Sequence, residues 1–406
     1  MLTKQRCLHL DNSDKTVLMK ICYLSLLPKY GEPAGSGVLK VSETLLKEYE
    51  SIPHVEVHAI SLQDGLPEEF SRVSGSVTYH YLPCKPKFKT LSGYFFEKKT
   101  LHKKILELSP QLCHAQPTSE YLTTATEWNG PHVITIHGLV LRETKGARLL
   151  SRGVLANFIR EIYQRQAVNR SQNVISISPY VEEYIQGFAS PKIWKIPNPI
   201  DHEFFEIQPA VSGSLKIICV GLLSARKNQK TLIQACAILK SLNIPFECHL
   251  IGRSAPGASE ELNSLIEVNR LQACVKLRGL LSDKDLIAEY AWANTVVLPS
   301  LEETAPLSLI QSLCSGRITI GANAAGIPLL LEGGRYGHLF DPTLPISLAD
   351  TLANISRNVQ EHIQTADKQK LELKQIYHPR NVALRTFSVY REILNQQETR
   401  RSFLNE

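Results

Sequence analysis

Two short segments of this 406-residue chain carry the residue types that handle phosphate and hydroxyl groups. The first is Gly221-Leu-Leu-Ser-Ala-Arg-Lys-Asn228, which lies between an apolar run and a helical pattern. A loop so placed turns backbone N–H groups and the positive end of a helix toward an anion, and Arg226 and Lys227 add charge there. A solvated Arg-Lys pair ahead of a helix has the same composition, so this loop alone decides nothing. The second segment runs Pro299-Ser-Leu-Glu-Glu-Thr-Ala-Pro-Leu-Ser-Leu-Ile-Gln-Ser-Leu-Cys-Ser-Gly316. Two acids follow an apolar run there, and Pro306 suits the first turn of a helix carrying Gln311. A carboxylate such as Glu303 at the mouth of a sheet can accept hydrogen bonds from sugar hydroxyls, and an amide on the next turn can hold a ribose. Acids at a helix start also complement its dipole for about 0.3–1 kcal/mol, which explains the acids but not the whole string.

A third segment, Lys85 to Lys104, interleaves seven lysines with Phe88, Tyr94, Phe95 and Phe96. It could rest on an anionic membrane surface or hold an anionic acceptor. The plainer reading is a solvated loop and helix whose aromatics pack inward, since surface charge runs are usually just solvated.

The elements that must position these segments follow from hydrophobic period. Short apolar runs alternate with small-residue loops and helical patterns, the βα signature of a parallel sheet. In the first half, Lys20–Leu27 reads as a strand, followed by a Gly/Pro-rich loop from Pro28 to Gly37 and helical spacing at Val38, Val41, Leu45 and Leu46. His54–Ile60, Val133–Ile136, Val174–Ile177 and Lys192–Ile196 read as further strands. After a break the pattern restarts with strands at Ile217–Val220, Glu247–Ile251, Val275–Leu277, Thr295–Leu298 and Ile318–Ile320, and a helix from Gln229 to Leu242. The expected fold class is therefore α/β, with two Rossmann-like domains whose parallel sheets face each other across a cleft. The expected division is an extension at 1–19, a first domain at 20–200, a linker at 201–215, a second domain at 216–380 and a helical segment at 381–406 that packs back on the first domain. Ligands of such sheets bind at the carboxyl ends of the strands.

Composition narrows the classes. A hydrophobic fraction of 43% with 21% charged residues is ordinary for a globular chain. Nine scattered cysteines with no C-x-x-C pair argue against a disulfide framework or a zinc site and for a reducing compartment. No run of about 18 apolar residues and no secretory leader stands out, so a cytoplasmic chain is expected, at most peripheral on the inner face of a membrane. Residues 1–200 hold 24 Lys+Arg against 18 Asp+Glu, while the rest balances at 21 against 21, which points anionic partners to the first half. That excess is too mild to suggest nucleic acid.

The Pro299–Gly316 string resembles the signature of family 4 glycosyltransferases: Pro-Ser, a Glu, seven intervening residues, a second Glu, then small residues and Gly, with Gln311 replacing the second carboxylate here. Glu303 and Gln311 occupy the two acid positions. Val220-Gly221 with Lys227, Leu250-Ile-Gly252, Arg278-Gly279, Ala324–Pro328 and Gly337–Phe340 are similar to later landmarks of that family. Ile136-His-Gly138, Ile175–Ser178 and Ile196–Asp201 are similar to its first-domain elements.

The resemblance implies a GT-B fold and a retaining transfer of a hexose from a nucleotide-diphosphate sugar to a glycan, lipid-linked or small-molecule acceptor. It implies no metal and no other cofactor. Carried over by residue, His137, Lys227 and Glu303 are the catalytic candidates. Gly35, Ser36, Gly37, Gly221, Arg226, Lys227, Gly252, Arg278, Glu303, Leu307 and Gln311 form the donor-binding set. Lys227 would neutralise the departing diphosphate, Glu303 would hold sugar hydroxyls, Gln311 would face the ribose, and His137 would line the reaction centre. Leu222 stands where the family usually has Arg, and Arg226 could supply that charge, since a guanidinium grips phosphate bidentately. An epimerase of the same plan and a non-catalytic sugar-nucleotide binder are the other readings; the first would form product without an acceptor, the second would bind without turnover.

Overall fold

The computed structural model describes residues 18–29, 37–84, 92–116, 119–143, 152–188, 191–209 and 213–404. Eight strands form the first sheet: β1 (Met19–Leu24), β2 (Val55–Asp64), β3 (Phe70–Ser74), β4 (Val77–Cys84), β5 (Leu112–Ala115), β6 (His132–Ile136), β7 (Asn173–Ser176) and β8 (Lys192–Lys195). Their order is β3-β4-β2-β1-β5-β6-β7-β8, and all pairs are parallel except β3 with β4. The second sheet holds β9 (Leu215–Val220), β10 (Phe246–Ile251), β11 (Val275–Gly279), β12 (Thr295–Leu298), β13 (Ile318–Ala322) and β14 (His338–Phe340). Its order is β11-β10-β9-β12-β13-β14, parallel throughout.

Every strand expected from the sequence is present, and β3, β4, β5 and β14 are additions. β5 escaped because its four residues, Leu112-Cys-His-Ala115, interrupt an apolar run with a histidine. In both sheets the chain leaves one central strand and returns on its other side, so the strand order reverses between β1 and β5 and between β9 and β12. Loops diverge at such a switch point and open a crevice at the carboxyl ends of the strands. The loops after β9 and β12 hold Lys227 and Glu303, and those after β1 and β5 hold Gly37 and Gln116.

The second domain packs around one core that includes Leu232, Leu250, Tyr290, Leu309 and Leu352. The first sheet is covered on both faces. One of those covers includes a helix from the far end of the chain. Helix Val359–Tyr377 still belongs to the second domain through Ile363 and Leu373. Helix Pro379–Leu404 then crosses back and buries Val382, Phe387, Tyr390 and Ile393 against the first sheet. Phe387 meets Tyr49 of helix Gly37–Tyr49 edge to face at 4.8 Å, a geometry aromatic pairs favour. The two crossings between domains are tied together, since Ile200 N–H donates to the Tyr377 carbonyl at 3.0 Å. Lys40 adds a second tie, with its ammonium 3.0 Å from Asp201 and 2.6 Å from Asp283 of the second domain.

The eight described cysteines are all free, and most are buried among apolar side chains. Among the described residues no helix is long and apolar enough to cross a membrane.

Candidate active site

The loop after β9 is short because Gly252 allows it to be. A Cβ at Gly252 would sit 2.0 Å from the Gly221 carbonyl oxygen, so the loops after β9 and β10 touch only with glycine there. Leu223 N–H donates to the Arg253 carbonyl at 2.8 Å and fixes the loop's course. A 3-10 turn, Ala225–Lys227, carries both cations ahead of helix Gln229–Ser241. Lys227 lies over Gly221, where a Cβ would be 3.6 Å from its Nζ.

Both cations converge on the loop after β12. Lys227 Nζ lies 2.5 Å from Glu303 Oε1, and Arg226 Nη1 lies 3.2 Å from the same oxygen. Arg226 also donates to the Glu302 carbonyl at 2.6 Å, and Leu301 N–H donates to the Arg226 carbonyl at 2.9 Å. Glu303 is only 8% exposed, so its charge is held in a partly desolvated place by two cations rather than by water. Arg226 thus supplies a guanidinium beside the lysine, while Leu222 points to solvent at 46% exposure.

The same loop is gripped by the first domain. Tyr180 OH donates to Glu302 Oε1 at 2.8 Å, and Ser178 Oγ donates to the Thr304 carbonyl at 3.0 Å. Gly326 N–H donates to the Glu303 carbonyl at 3.0 Å, and a Cβ at Gly326 would stand 2.6 Å from the Thr304 carbonyl oxygen and 3.2 Å from Tyr180 Cβ. Residue 326 must therefore be small for the loop to lie between the domains. On the other flank a Cβ at Gly37 would be 3.3 Å from Leu307 Cδ1, which places the start of helix Gly37–Tyr49 against the start of helix Leu307–Cys314. Pro306 precedes that second helix as its cap, one residue before the expected start.

Gln311 lies one turn into the helix and is 9% exposed; its Oε1 accepts from Tyr290 OH at 3.1 Å. Arg278 is drawn elsewhere: its Nε donates to Glu289 Oε1 at 2.9 Å, and His249 holds the other oxygen at 2.6 Å. Gly35 and Ser36 lie outside the described residues.

His137 follows β6, whose Ile136 pairs with Ser176 of β7, two residues before the Ser178 that touches the second domain. The strand ends that hold His137 and those that hold Lys227 and Glu303 therefore open toward the same boundary. Surrounding protein pushes the His137 imidazole down to about 4, with Asn198 acting the other way. Its Nε2 is hydrogen-bonded to Gln116 Oε1. Gln116 was not foreseen: His137 came from the family resemblance, whereas Gln116, at the carboxyl end of β5, belongs to no element of that resemblance. Tyr180 and Glu302 were missed as well, because nothing in a sequence pairs residues 122 positions apart.

Among the described residues, buried Ser300 Oγ and Thr304 Oγ1 have no hydrogen-bond partner here.

Family models cover most of the chain. Glycosyltransferase Family 4 matches residues 36–204 and Glycosyl transferases group 1 matches residues 201–370. The chain belongs to glycosyltransferase family 4, group 1. Its fold is of the GT-B class. Among its relatives is a Salmonella typhimurium protein named as the colanic acid biosynthesis glycosyltransferase WcaL, 25% identical over 249 residues that make up 58% of this chain and 60% of WcaL. Another is the D-inositol 3-phosphate glycosyltransferase of Corynebacterium jeikeium, 24% identical over 56% of this chain and 59% of that one. The matches thus span about three fifths of these relatives' own lengths. The fold is shared more widely. Sucrose-phosphate synthase of Thermosynechococcus elongatus superposes with a TM-score of 0.76 at 18% identity, covering 93% of this chain and 100% of that one. Anabaena HepE, solved in complex with UDP, gives 0.67 at 18% identity over 92% and 100%.

The chain's lysine-rich segment departs from the inward-packing expectation. In its described part Tyr94 is buried, but Phe95 and Phe96 are 58% and 68% exposed at the start of helix Phe95–Leu108. Lys99 and Lys103 are exposed as well, whereas Lys104 is buried between Glu69 and Glu107. Lys85 to Lys89 with Phe88 lie outside the described residues.

Proposed function

We propose that this glycosyltransferase transfers a hexose from a nucleoside diphosphate sugar to a glycan, lipid-linked or small-molecule acceptor, with retention of anomeric configuration and without a metal ion. The observation that carries the reading is the convergence of Lys227 and Arg226 on Glu303 at the domain boundary. Charge that develops on a departing diphosphate needs preorganised cations, and these two are held in place before any ligand arrives. A diphosphate that draws Lys227 toward itself leaves Glu303 free to accept from a sugar hydroxyl, so one exchange of partners readies both groups. Gln311 and Leu307 would flank the nucleoside on the next helix, and Gly37, with Gly35 and Ser36, would border the phosphates from the first domain. The acceptor would then enter beside His137. HepE, solved with UDP, shares the fold, which makes UDP-sugars the first donors to try.

The test is a panel of radiolabelled nucleotide sugars and candidate acceptors, followed for nucleoside diphosphate release, product anomer by NMR, and insensitivity to EDTA. Product without an acceptor would favour the epimerase reading. Donor binding by calorimetry with no turnover on any acceptor would favour the non-catalytic one.

A reducing, cytoplasmic setting fits the free cysteines. Phe95, Phe96, Lys99 and Lys103, spaced along one side of a helix, suit contact of the segment 85–104 with an anionic membrane surface.

A further inference from the structure

Behind His137 a line of polar side chains runs through the first domain and ends on the last helix. Gln116 Oε1 meets His137 Nε2, and Gln116 Nε2 lies 3.1 Å from His114 Nε2. His114 Nε2 is also 2.7 Å from Thr135 Oγ1, and its Nδ1 is 2.5 Å from the hydroxyl of Tyr390. Gln116 and His114 are each 1% exposed and Tyr390 is fully buried. Water cannot rescue a mismatched donor there, so the direction of each bond is constrained by its neighbours.

The orientation of the Gln116 amide sets the protons along the line. With its nitrogen toward His114, His114 Nε2 receives as a lone pair, the Thr135 hydroxyl lies beside it at 2.7 Å, and the one proton of the neutral ring sits on Nδ1, given to the Tyr390 oxygen. An amide oxygen only accepts, so the His137 nitrogen facing it carries a proton. The His114 ring has no freedom to turn, because Tyr23 and Tyr390 stand edge-on to it at 5.2 and 5.6 Å. Gln116 is held in turn by a ring that cannot move. We infer that Gln116 is a positioning residue for His137, holding it as the Nε2–H tautomer, and that Tyr390 on the C-terminal helix, acting through His114, holds Gln116. The helix that crosses back from the second domain thereby contributes to the geometry of the first domain's site without touching a ligand.

The kinetic consequence rests on the function proposed above; the tautomer does not, and the experiment separates them. The full chain labelled with 15N-histidine is examined by long-range 1H–15N NMR, with His137 assigned by its loss in His137→Gln. At pH 7 the expected pattern is the Nε2–H tautomer. Gln116→Met, which keeps volume but cannot hydrogen-bond, should give a mixture of tautomers. Gln116→Glu should move protonation of the ring upward by about one unit or more, since a carboxylate favours the imidazolium. Tyr390→Phe should give a smaller shift of the same kind as Gln116→Met. In turnover assays Gln116→Met should lower kcat about tenfold, the weight of one well-placed hydrogen bond, and leave KM for the nucleotide sugar unchanged because the second domain holds it. An Nδ1–H pattern in the native chain, or a Gln116→Met spectrum identical to native, overturns the inference. If no donor turns over, the proposed function fails while the spectra still decide this one.

Discussion

The mouths of the two sheets solve different problems. At the second, four charged groups crowd together: Arg226, Lys227, Glu302 and Glu303, with a buried ion pair at 2.5 Å. At the first, His137 is backed by neutral groups: Gln116 hydrogen-bonds to it, and His114 and Thr135 stand behind Gln116. The overall charge has the opposite distribution, since the whole excess of positive residues lies in the first half. Net charge of a domain therefore says little about where an anion binds. On the proposed reading a pyrophosphate meets two cations placed by a 3-10 turn, whereas diffuse surface lysines steer or dock at most. Two mouths of opposite character suit a reaction in which one partner brings charge and the other brings hydroxyls.

The sharpest way to break this contrast is Lys227→Ala. Turnover should fall by roughly 10³-fold, as for loss of a group aimed at developing charge. Melting temperature should fall too, because Glu303 keeps only Arg226; nucleoside diphosphate release and calorimetry read the two effects, and retained turnover would remove Lys227 from the mechanism. The neutral mouth is tested by acid. His114 and His137 are pushed down to about 3 and about 4 from an unfolded value near 6.5. Their neutral burial favours the folded state fully above pH 6.5, and the contribution is lost as pH falls from there toward 4. By pH 5 each ring should cost roughly 2 kcal/mol by linkage, seen in urea unfolding at pH 7 and 5; a flat profile would contradict the burial of neutral rings. The seam between the mouths is probed by Tyr180→Phe, which strands Glu302 Oε1. A rise of about tenfold in donor KM with little change in kcat is expected, in line with a lost hydrogen bond to a charged group, and an unchanged KM would detach the first domain from donor binding. The smallest effect on chemistry belongs to the pair Phe95→Ser and Phe96→Ser. Sedimentation with phosphatidylglycerol vesicles should drop, with soluble-acceptor turnover and melting temperature unchanged; equal sedimentation would leave the segment merely solvated.

Local pattern carried much of this. The period-2 and period-3.6 runs marked ten of the fourteen strands, and strand–loop–lysine together with the Pro299–Gly316 string marked the charged mouth. Those features are legible because one element writes each of them, a strand end and the loop that follows it. The neutral mouth was only half legible. His137 showed at a strand end, but β5 was too short and too polar to register, and with it went Gln116 and His114. Arg278, matched by motif, has its guanidinium engaged by Glu289, a partner 11 positions on that the motif does not name.

By itself the sequence determined the repeated α/β plan, the family and the cations on their turn, since each rests on neighbours within a few residues. Only the tertiary structure decided that Lys227 and Arg226 share one carboxylate, that Tyr180 reaches Glu302, and that Tyr390 backs a histidine 276 residues away. Hydrogen bonds and ion pairs act over about 3 Å and are blind to distance along the chain. Which groups come that close is settled by how two sheets and a returning helix pack.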